Sequence, residues 1–140
     1  MAILDYVPYF VLAAIAALML AVWVPRWRML RTVGRPAPDL QGVSCACADE
    51  AGRDALYFFF SPHCGRCRAV SEALDRLAAR GTTVVRVDVT AQECDVPRRF
   101  GVREVPAVVA IEQGRVARVL VGPQVARALE AGPPIRPARA

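Results

Sequence analysis

Cys64 and Cys67 bracket two residues in Cys64-Gly65-Arg66-Cys67. Two thiols at this spacing on one helical turn can close a tight disulfide or supply half of a tetrahedral metal site. They can also be inert core cysteines. Their context decides between these uses. Before them runs Leu56–Phe60, a wholly apolar stretch of strand formers, which Ser61-Pro62-His63 interrupts. After them Ala69, Val70, Ala73, Leu74, Leu77 and Ala78 recur at helical spacing until Gly81 stops the helix. A strand-to-helix junction places Cys64 at a helix N-terminus, where unpaired N–H groups and the helix dipole favour a thiolate. Arg66 and Arg68 add positive charge, and His63 adds more when protonated. Stabilising the thiolate stabilises the reduced pair and makes the disulfide more oxidising. Dithiol–disulfide exchange is therefore the preferred chemistry. Taken alone, His63 reads equally well as an ordinary exposed histidine.

Three further cysteines make the total odd, so at least one thiol is unpaired or bonds outside the chain. Cys45-Ala46-Cys47 is a C-x-C pair ahead of the first core strand. It is open to three uses: a second redox pair passing electrons to Cys64 and Cys67, a soft-metal site, or small residues in a variable loop. Cys94 follows the second strand. Val105-Pro106 heads another strand, and proline there removes a ladder donor, so it needs a reason. Its peptide bond is open to cis or trans.

The elements that must position these groups read as follows. Leu56–Phe60 is a strand buried on both faces. Thr82–Val89 is a second strand, a short helix starts near Asp95-Val96-Pro97, and Val105–Ile111 is a third strand. Gln113-Gly114 turns it into a fourth, Arg115–Val121. Gln124–Ala131 is a last amphipathic helix. The order predicts a parallel βαβ unit joined to an antiparallel hairpin, an α/β sheet with helices on both faces.

Ahead of this domain, residues 7–24 carry no charge, enough chain to span a hydrocarbon core at about 1.5 Å per residue. A cleaved signal peptide would want basic residues before the run, and here only Asp5 precedes it. A core helix apolar on all sides would need a larger protein to bury it. A transmembrane anchor fits best, with Tyr9, Trp23 and Trp27 near its ends. The mean hydropathy of +0.31 is high for a soluble domain, and this run explains it. All 18 basic residues are arginine and the net charge is +5. Arg26, Arg28, Arg31 and Arg35 follow the run directly, so they read as a topology signal and headgroup contacts, with no further sign of nucleic-acid binding. That asymmetry favours a cytoplasmic domain over a periplasmic one. The expected organisation is an anchor at 1–25, a basic and proline-rich linker at 26–37, the domain at 38–132 and a disordered, proline-rich tail at 133–140.

Residues 56–131 resemble the thioredoxin family. The likeness is carried by FFFSPHCGRC and its helix, by VVRVDV, and by RRFGVREVPAVVAIEQGRVARVLVG. It implies a thioredoxin-like fold, a central mixed sheet flanked by helices behind one transmembrane helix. It implies Cys64 as the exposed nucleophile and Cys67 as the buried resolving thiol. Pro106 takes the place of the strand-leading cis-proline that packs on the disulfide, and Val105 would offer its backbone to an extended substrate. His63, Gly65 and Arg66 would complete the rim. GRPAPDL resembles the start of membrane-anchored bacterial thioredoxin-like proteins, which implies an inner-membrane location. Four departures stand out. His63 replaces the usual aromatic, Arg66 the usual proline, and Phe58 the buried acid of the preceding strand, while the early strand and helix are shortened or altered. The expected activity is thiol–disulfide exchange with protein substrates and an unidentified electron donor or acceptor, without a cofactor. The rival reading is a copper or zinc module built from Cys45, Cys47, Cys64 and Cys67; a third is an adaptor that binds without turnover.

Overall fold

In a computed structural model of the chain, the residues described are 2–40 and 54–132. Contacts divide the chain into two units, residues 1–31 and 32–140. The first is a single helix, α1 (Ala2–Leu30). It continues past the anchor boundary expected at residue 25. Residues 6–23 are exposed on every side, and Tyr6–Val24 is long and apolar enough to cross a membrane. Near its end the Arg31 guanidinium lies over the Trp27 ring, 3.5 Å from the centroid, a cation–π contact at the polar end of an apolar helix.

The second unit contains β1 (Ala55–Phe60), α2 (Cys67–Ala78), β2 (Val84–Asp88), α3 (Val96–Arg99), β3 (Ala107–Glu112), β4 (Arg115–Val121) and α4 (Val125–Glu130). The strands form one sheet in the order β2-β1-β3-β4. β1 pairs parallel with β2 and antiparallel with β3, and β3 pairs antiparallel with β4. This is the expected βαβ unit with its hairpin, on a mixed sheet. The hairpin turns at Gln113 and Gly114, both with positive φ (52° and 73°), as a two-residue turn matched to strand twist requires.

Strand residues alternate between two apolar layers. Leu56 and Phe58 face α2 and α4, where they cluster with Val70, Leu74, Val108 and Val125. Tyr57 and Phe59 point the other way and meet Phe100, at the end of α3, with ring centroids 5.0 and 5.5 Å apart. β1 is therefore buried on both faces, which explains its unbroken apolar run. Residues 34–37 also join this unit. The Gly34 N–H donates to the Val116 carbonyl (2.7 Å) and the Ala37 N–H to the Gly114 carbonyl (2.8 Å). The disordered tail expected at 133–140 lies outside the described residues.

Candidate active site

Phe60 ends β1, and Ser61-Pro62-His63 turns the chain towards α2. The Cys64 N–H donates to the Ser61 carbonyl (3.0 Å), and the Cys67 N–H donates to the Cys64 carbonyl (3.1 Å). Cys67 is the first residue of α2 and Arg66 its N-cap, without a side-chain capping bond. The sequence alone starts the helix at Cys64. In the structure Cys64 stands in the turn just before it, because Ser61 and Pro62 bend the chain for one more turn. The peptide dipoles of α2 still point their positive end towards it.

The two cysteines form a disulfide, with their Cα atoms 5.4 Å apart. Their environments differ. Cys64 is half-buried and packs on the margin of the core, whereas Cys67 is 6% exposed and belongs to it. Cys64 is thus the more exposed cysteine of the pair and Cys67 the covered one.

Gly65 and Arg66 are exposed beside the pair. A Cβ at Gly65 would meet nothing within 4 Å. Arg68 bonds Glu72 at 3.3 Å on the exposed helix face, so its charge is partly engaged. Val105-Pro106 is a cis peptide bond. Pro106 is buried and ends just before β3, so it removes no donor from the strand itself, and its carbonyl accepts from the Gly122 N–H at 3.0 Å. Val105 packs against the same core cluster as Cys64.

Sequence reasoning missed Asp88, at the end of β2. Its carboxylate accepts from the Thr90 hydroxyl (2.7 Å) and the Thr90 N–H (2.8 Å). These two bonds, and to a lesser degree the positive charge of His63, hold the carboxyl below its ordinary range against a small opposing effect of desolvation. The available signal was a strand-ending Asp with Thr two residues on, a pattern that closes an Asx turn. His63 is exposed, and its N–H donates to the Ser61 hydroxyl at 3.4 Å.

Cys45 and Cys47 lie outside the described residues, and with them half of the proposed four-thiolate site. Among the described residues no group of three or more His, Cys, Asp or Glu is placed to hold a metal ion. Cys94 is half-buried after β2, its N–H donating to the Ala91 carbonyl at 3.2 Å.

Comparison with known proteins agrees with this geometry. The thioredoxin family model matches residues 48–132. A thioredoxin of Haemophilus influenzae is 34% identical over 70 residues, which is 48% of this chain and 64% of the relative. The chain thus spans somewhat less than two thirds of that relative's length. Among solved structures, a mutant thioredoxin from Halobacterium salinarum NRC-1 is 27% identical with a TM-score of 0.50, over 57% of this chain and 71% of that one. Fasciola hepatica thioredoxin is 25% identical with a TM-score of 0.50, over 59% and 81%. With a family model covering more than half its residues and Cys64 and Cys67 at disulfide distance within the matched fold, this chain belongs to the thioredoxin family.

Proposed function

We propose that this chain is a membrane-tethered thiol–disulfide oxidoreductase that exchanges the Cys64–Cys67 dithiol or disulfide with protein substrates. The observation that carries the reading is the asymmetric pair, a half-buried Cys64 bonded to a buried Cys67 at the start of α2. In the reducing direction the Cys64 thiolate attacks one sulfur of a substrate disulfide. A Cys64–substrate bond forms, and the other substrate sulfur leaves with the electron pair. Cys67 then attacks the Cys64 sulfur. The Cys64–Cys67 bond closes and the second substrate thiolate departs, so two electrons have passed to the substrate. No cofactor takes part. Arg66 and His63 supply positive charge beside the nucleophile, and Val105 offers its backbone to an extended substrate segment. The apolar helix α1 supports an anchor in a bacterial inner membrane, and the four arginines after the span support a cytoplasmic domain.

Two experiments test this. Cys67→Ser removes the resolving thiol, so the variant should retain its physiological partner as a mixed disulfide, absent from a Cys64→Ser control. Insulin reduction by the intact protein should require both cysteines. Insulin reduction that persists in Cys64→Ser would defeat the assignment.

A further inference from the structure

Resting on the exchange chemistry proposed above, we infer that Cys67 resolves without a base from among the described residues, so that the mixed disulfide between Cys64 and its substrate is long-lived at neutral pH. Before Cys67 can attack, its thiol must lose a proton. The described residues around it offer that proton no acceptor. Cys67 is 6% exposed and clusters with Leu56, Phe58, Val70, Leu74 and Val108. Phe58 is 2% exposed and occupies the middle of the strand that floors this layer. Among the described residues no charged side chain is buried.

The charged groups of the packed elements all lie at their outer surfaces. β1 carries none, and its one titratable side chain, Tyr57, lies on the opposite face of the sheet from Phe58. On α2, Arg68 and Glu72 pair with each other, and Asp75 pairs with Arg86, which also donates to Ser71. Arg76 of α2 pairs with Glu130 of α4, and Arg127 is exposed. Glu112 closes β3 at the end remote from Pro106, and Arg118 of β4 is exposed. In the segments next to the cysteines and Pro106, His63, Arg66, Arg103 and Glu104 are exposed, and at the end of β2 Asp88 is engaged by Thr90.

An apolar shell disfavours a buried thiolate relative to the thiol. Hydroxide from solvent, or the substrate thiolate already released by the attack of Cys64, must therefore take the Cys67 proton. The freed thiolate attacks the Cys64 sulfur, the Cys64–Cys67 bond forms, the Cys64–substrate bond breaks, and the electron pair leaves on the substrate sulfur. By microscopic reversibility the same barrier slows the oxidising direction, in which Cys67 is the leaving group. In the reducing direction the consequence is a protein that captures a substrate quickly and releases it slowly.

The test uses the full chain in detergent, with Cys45, Cys47 and Cys94 changed to serine, fully reduced and mixed in excess with a chromogenic aryl disulfide. Attack by Cys64 releases one arylthiolate, and closure by Cys67 releases the second. The second phase should be the slower. It should accelerate about tenfold per pH unit from about pH 6, with no plateau up to about pH 8.5, the range of an ordinary thiol. A plateau below that range means a thiolate is already formed near neutrality and overturns the inference. Phe58→Asp places a carboxylate in the lining and, where circular dichroism shows it folded, should raise the second phase at least about tenfold at pH 7; an unchanged rate in the folded variant counts against the inference. Should the variant unfold, the pH profile of the parent decides alone. Loss of either release altogether contradicts the exchange reading itself, which separates the two failures.

Discussion

Phe60 and Asp88 face each other as the last partners in the parallel ladder between β1 and β2. The Val89 N–H then donates to the Phe60 carbonyl at 2.9 Å. The ladder thus ends where the turn to Cys64 begins, and it leaves a carboxylate at the same end of the sheet as His63.

That carboxyl is predicted to respond to Thr90. Its acid strength comes first from the Thr90 hydroxyl, so Thr90→Ala should move it back up towards 3.8 without reaching it, since the N–H bond remains. A group whose folded value is depressed adds stability that is present above its ordinary value and lost as pH falls through the folded one. The variant should therefore show a shallower loss of stability below about pH 4. Carboxyl NMR titration checks the shift; an Asp88 value that stays put refutes the role of the hydroxyl.

Cys64 should alkylate ahead of Cys67 in the reduced protein. It is the more exposed cysteine and stands at the positive end of α2. Brief labelling at mildly acidic pH, read by mass spectrometry, measures the ratio. Preferential modification of Cys67 would reverse the assigned roles.

Arg66→Gln should make the pair more reducing, because the cation favours the Cys64 thiolate and hence the reduced state. A shift of some tens of millivolts is expected, where about 30 mV corresponds to about 1.4 kcal/mol for two electrons. A glutathione titration against the parent reads it. Because Arg66 is exposed at the N-cap, salt should reduce the difference. An unchanged potential would mean that the charge is fully screened, and a higher one would refute the stabilisation of the Cys64 thiolate by Arg66.

Gly65→Ala separates folding from recognition. Its added methyl meets open space, so stability should change by no more than about 0.5 kcal/mol. Exchange with a small disulfide should be unaffected, while a protein substrate closing over Gly65 should react more slowly. Equal rates with both would remove Gly65 from the contact surface.

A protein beginning at Thr32 should fold without α1. The second unit holds the sheet and its two apolar layers, and residues 34–37 bond to the edge of β4. Far-UV circular dichroism of residues 32–140 should show mixed α/β structure with a cooperative thermal transition. A disordered spectrum would make α1 part of the core.

Much of this was legible in the residues. The apolar run of β1, the helical spacing after Cys67, the Gln113-Gly114 turn and the uncharged stretch of α1 are local patterns, because burial repeats with the period of each element. The two thiols were visible for the same reason, as was their place between a strand and a helix. What the chain could not announce was anything set by partners distant in sequence. Cys64 and Cys67 have the same side chain, and only the packing of β1, β3 and α4 around α2 covers one and leaves the other accessible. Asp88 reads as an ordinary strand end until the parallel ladder sets it opposite Phe60. Val105-Pro106 is compatible with either isomer by itself, and the surrounding fold selects cis. Local pattern determined which elements form and where the cysteines lie along them; long-range packing decided which cysteine is covered and which strand residue stands opposite Asp88.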